Sequence, residues 1–190
     1  MNITLSWDLF ILVFFVVIIA YSFIIGRDNT LKVILGTYVS MIAADATGSL
    51  FGKYFAGSEI FLKILRLATV GNEQEAIVFV KVLVFVGLVI IFSVKGAFAV
   101  STVDDRSSAI RLVLSILYAF MSAGLIISAI LVFVSGVSFI GGGSAETTQT
   151  ALWDLYHKSQ IIRVMLAYTH FWFAVPALSF LIHSLYTRNE

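Results

Sequence analysis

A chain of 190 residues of which 60% are hydrophobic and only 12% charged is not a soluble globular domain, since such domains carry about a quarter charged residues. The net charge of +1, from 12 scattered Lys and Arg, gives no electrostatic case for nucleic acid, and the lack of cysteine excludes disulfides, thiolate metal sites and thiol redox chemistry. A mean hydropathy of +1.02 and long apolar runs predict an all-α polytopic membrane bundle of four to five transmembrane helices, forming one domain over 1–190.

The first span is predicted at 9–25. Met1 to Trp7 carries no Lys or Arg, Asp8 precedes the run, and the run exceeds the 7–15 residues of a signal-peptide core, so it reads as a retained helix. At 1.5 Å per residue it covers about 26 Å, most of a bilayer core. Gly26 to Thr30 reads as a tight polar turn, which forces the second span, 31–55, to run back beside the first. That span contains Thr37, Ser40, Asp45, Thr47, Ser49 and three glycines, so it is marginal alone and is expected to enter the membrane with its neighbours. The connection that follows has apolar residues at helical spacing over 59–68 with charges opposite, which suits a helix lying in the interface.

A third span is predicted at 76–94, interrupted by Lys81, and a fourth at 110–134, with Asp105 or Ser107 as N-cap. Gly141 to Ser144 opens a flexible loop over 141–159; without a GK[ST] signature it is no phosphate cradle. The fifth segment, 161–185, holds Arg163, His170, Pro176 and His183, and either crosses with a kink at Pro176 or lies partly re-entrant. With the N-terminus outside, six basic residues fall on each face, so the charge rule does not orient the chain; the uncharged N-terminus favours N-outside.

Two features of the second span carry the functional argument. Gly36, Ser40, Ala44, Gly48 and Gly52 are small residues at five successive positions four apart, a pattern that lets helix backbones approach in lipid. Because four residues overshoot a turn by about 40°, the row winds round the helix. Either two partners share it or one crosses steeply, and it serves packing within the bundle or a groove for a lipid or partner helix. Asp45 is the second feature. With Lys32 and Lys53 marking the interfaces it falls near the midplane, where a lone carboxylate costs about 2.5–3.5 kcal/mol on insertion scales. Depth along the spans offers it two partners, Lys81 and His170. The three readings are a proton- or ion-responsive pair, a neutral Asp45 bonded to Ser and Thr hydroxyls or capping a broken helix, and a re-entrant span that meets water.

No catalytic or metal signature accompanies these residues. His170 and His183 are too far apart to share a helical face, no HExxH cluster exists, and no serine sits in a GxSxG context. No cofactor is therefore expected. The partners expected are the lipid bilayer and a second copy or another membrane protein.

Trp7-Asp8 ahead of a first apolar span, the Gly26-Arg27 turn, Gly36 early in a closely following second helix and the small run through Ala43 and Ala44 make 1–134 resemble the colicin V production protein family of small bacterial inner-membrane proteins. Asp105-Arg106 before the fourth span is similar too, whereas Asp28 and Lys32 replace the Arg-Gly pair and Glu usual there, Ala109 and Val113 stand where glycines are usual, and the fifth segment is extra. The resemblance implies a non-enzymatic, envelope-related role in the inner membrane and carries over no catalytic residue. The expectation is thus a non-enzymatic multi-pass protein acting through helix–helix assembly; the alternative is a small transporter or channel subunit in which Asp45 pairs with His170 or Lys81.

Overall fold

In hydrocarbon a backbone N–H or C=O finds its partner only within its own segment, so long apolar runs become helices. The computed structural model describes residues 7–55, 58, 73–95, 108–136, 138 and 159–187. The elements among them are six helices: α1 Trp7–Ile25, α2 Arg27–Tyr54, α3 Glu73–Lys95, α4 Ser108–Val134, α5 Gln160–Ala167 and α6 Thr169–Thr187. By length and composition, α1 to α4 are able to cross a membrane, and the bent pair α5–α6 makes a fifth crossing if it is one broken span. The predicted interfacial helix at 59–68, the loop at 141–158 and the cap at Asp105 or Ser107 lie outside the described residues.

The polar turn contracts to a single residue. Gly26 takes φ 81°, a left-handed conformation that favours glycine. Arg27 to Thr30, expected in the turn, instead form the first turn of α2. Their side chains close the end of α1. Thr30 Oγ1 donates to the Ser22 carbonyl at 3.1 Å and to that of Gly26 at 2.8 Å, and Asn29 Nδ2 donates to the Ile25 carbonyl at 2.8 Å. The Ser22 and Gly26 carbonyls also accept from the Gly26 and Thr30 N–H groups, and the Ile25 carbonyl is one that a helix C-terminus leaves without an intrahelical donor.

α2 is one unbroken helix despite its polar residues, so Asp45 does not cap a half-helix. Gly36 faces Phe92, Gly48 faces Lys81 and Gly52 faces Ile77, so α3 runs antiparallel to α2 in a constant register. α4 is the central helix: 78% of its apolar window is buried, against 17% for α1 and 11% for α3, which therefore turn most of their surface outward. Phe133 of α4 meets Phe85 of α3 edge-on, with ring centroids 5.5 Å apart.

The last segment bends by 53° at Tyr168, not at Pro176, which is buried within α6. The break is stabilised where it occurs. Thr169 Oγ1 donates to the Leu166 carbonyl at 2.6 Å, and the Phe171 N–H donates to the Tyr168 carbonyl at 3.0 Å, so both of these carbonyls keep a donor at the break. α6 then docks on α4 through Trp172, which forms a three-ring cluster with Phe15 and Phe120 and lies against Gly124. A Cβ at Gly124 would stand 2.0 Å from Trp172 Cε3. The Tyr38 hydroxyl donates to the Phe173 carbonyl at 2.6 Å and fastens α6 to α2.

The indole is rigid and packed against Phe15, Phe120 and Phe171, so Gly124→Ala must displace α6. A loss of about 1–3 kcal/mol is expected, read as a lower thermal midpoint in detergent micelles. Adding Trp172→Leu should recover most of it; a midpoint unchanged by Gly124→Ala would contradict the packing.

Candidate functional site

Helical spacing places Gly48 three residues after Asp45, on neighbouring positions of one face of α2. On α3, Lys81 lies opposite Gly48. A Cβ at position 48 would stand 2.3 Å from Lys81 Cγ and 2.7 Å from its Cε, so the missing side chain is the trough along which the lysine stem runs. The stem delivers Nζ to Asp45, donating to Oδ1 at 2.6 Å. From the turn after α4, the Ser138 hydroxyl donates to Oδ2 at 2.9 Å. Three segments thus converge on one carboxylate.

The pair is sealed. The Asp45 side chain is 0% exposed and that of Lys81 7%. Bringing both charges out of water is costly, and the cost is offset only by a short contact and by bonds to the remaining oxygen. Both conditions are met. Of the two partners that depth allowed, the structure brings only Lys81. His170 is exposed on α6, which packs around Trp172 against α1 and α4, away from the α2–α3 seam.

Trp7 and Asp45 each lie 19 residues from Gly26, about 28 Å along their helices at 1.5 Å per residue, so the pair lies level with Trp7.

The small-residue row is occupied inside the chain. Gly36, Gly48 and Gly52 meet α3, and Ser40 and Ala44 are buried between them. A single helix follows the row, although it winds by about 120° from Gly36 to Gly48, because the side chains of Phe92, Lys81 and Ile77 reach round to it. The Ser40 hydroxyl is buried without a hydrogen-bond partner.

Two polar contacts have no counterpart in the sequence reading. Ser138 fell outside every predicted span and carries no local signal. Asp8, placed only as a flank, accepts from the Ser159 hydroxyl and from the Ile161 N–H, the latter at 3.2 Å. Ser159 also caps α5, its hydroxyl accepting from the Ile162 N–H at 3.1 Å. A serine two residues before a predicted span, with an acid near the helix N-terminus, was the legible half of that contact. Among the described residues no group of three or more His, Asp or Glu is placed to hold a metal ion.

The chain is thus a multi-pass membrane helical bundle with one buried Asp–Lys pair among its described residues. No family model matches it, and comparison with curated proteins and with solved structures gives no match either.

Removing one partner leaves the other charge buried and alone. Asp45→Asn and Lys81→Met should each cost about 3–5 kcal/mol, and the double variant should be more stable than either single one. Thermal denaturation in detergent measures all three; strictly additive losses would show that the two side chains are not coupled.

Proposed function

We propose that this protein is a non-catalytic, multi-pass component of a bacterial inner membrane that works by assembling with itself or with another membrane protein of the envelope. The observation that carries this reading is the closure of the Asp45–Lys81 pair. A carrier or proton path needs its charged site within reach of solute or water, whereas these charges cancel each other at 0% and 7% exposure. They act as an internal pin. The resemblance of the first two spans to the colicin V production protein family agrees with an envelope role without catalysis.

Because the small-residue row is filled by α3, assembly falls to the outward faces of α1 and α3, where Val16 and Leu83 are exposed. The chain has no cysteine, so each one introduced is unique. Val16→Cys or Leu83→Cys should give a position-specific cross-linked product in native membranes, and buried Ala44→Cys should give none. Monomer at every outward position would refute the reading.

One observation favours a second reading, a small transporter or channel subunit. The chain is non-helical at Ser138, where it meets Asp45, and unwound segments line the sites of many transporters. Under the assembly reading, proteoliposomes should show no flux driven by a pH gradient. A flux that Asp45→Asn abolishes would replace assembly with transport.

A further inference from the structure

The outward faces of α1 and α3 are separated by a cleft of about 480 Å³. Its walls include Val17 of α1 and Val86 and Val89 of α3, and its floor includes Val33 of α2 and Ile126 of α4. At the end nearest the Gly26 turn, the Tyr21 and Ser93 hydroxyls hydrogen-bond across it. The lining is otherwise almost wholly apolar, and the two helices that flank it are the most outward-facing of the four long ones. In a membrane-spanning bundle such an opening meets lipid tails rather than water.

What distinguishes this cleft from ordinary lipid-facing surface is the charge at that same end. Val94 lines it and Lys95 follows; Val33 lines it and Lys32 precedes. Lys32 stands four residues before Gly36, on the stripe that faces α3, and the antiparallel register sets it across from Lys95. Arg27 and Arg111 belong to the same end of the bundle, where Asp28 is the one acid among the described residues. Two lysines adjoining residues that line the same end of an apolar cleft match a net anionic headgroup whose chain lies in the cleft. Between the two, the Tyr21 and Ser93 hydroxyls sit at the level where ester carbonyls would accept.

We infer that the α1–α3 cleft binds one anionic phospholipid, with an acyl chain between Val17 and Val89 and the phosphate against Lys32 and Lys95. A zwitterionic lipid offers the same tail, but its amine cancels the charge that the lysines attract. The site is independent of whether the protein assembles or transports.

Native mass spectrometry of the full chain, given equal phosphatidylglycerol and phosphatidylcholine, tests this. One phosphatidylglycerol should be retained, with a preference on the order of tenfold for two lysines near the headgroup. Lys32→Gln with Lys95→Gln should bring the two lipids to parity. Val89→Trp, or Val86→Trp should the first variant fail to fold by circular dichroism, should remove the retained lipid. Equal retention by the parent, a preference that survives loss of both lysines, or retention by a folded tryptophan variant would each overturn the inference and leave non-specific annular lipid only.

Discussion

A lysine laid across a glycine sets the arrangement of this bundle. Hydrocarbon does not solvate Asp45 and Lys81 apart, so α2 and α3 must pack in the register that joins them, and Gly48 is the position at which the backbone leaves room for the lysine stem. Slipping α3 by one residue would turn Lys81 by about 100° from its trough and strand both charges. The apolar contacts of Gly36 with Phe92 and Gly52 with Ile77 give close approach but little register specificity. The ion pair adds that specificity, and Ser138 extends it to the chain beyond α4.

The remaining helices arrange themselves around that seam. α4 fills the centre because an uninterrupted buried stretch, Met121 to Ala129, needs neighbours on every side. α6 leans on α4 where Gly124 admits the Trp172 indole, the same device as Gly48 and Lys81 with an aromatic ring in place of a charged stem. Large side chains lodged over glycines recur here because van der Waals contact, rather than water exclusion, holds helices together in lipid. α1 takes little part in the core, is tied to α2 by the hydrogen bonds around Gly26, and stands apart from α3 across the cleft.

A protein so arranged has its polar chemistry turned inward and its apolar surface turned outward. The pair is shielded, the small-residue row is occupied, and His170, the third residue that the sequence suggested for a polar site, stands apart from both. The outer surface of α1 and α3 and the basic residues at the Gly26 end remain accessible, alongside apolar side chains of α2, α4 and α6 such as Ile42, Leu112 and Ile182. The assembly and the lipid binding proposed for this chain would use that outer surface and make no demand on the buried carboxylate.

The sequence by itself determined the class of fold, the four long spans and the presence of a carboxylate inside the second, because hydrophobic run length and an isolated charge in such a run are local properties that no tertiary contact alters. It narrowed the partner of Asp45 to Lys81 or His170, since depth follows from residue count. It did not separate them, because depth says nothing about which helices are neighbours; the packing of Trp172 decided that by carrying α6 away from the α2–α3 seam. The sequence offered a kink at Pro176, the residue that lacks an N–H, or a re-entrant course; the break between the two helices lies at Tyr168, where the Thr169 hydroxyl holds the Leu166 carbonyl. Ser138, the trough at Gly48 and the cleft between α1 and α3 belong to the tertiary structure alone, since each exists only where segments distant in the chain meet.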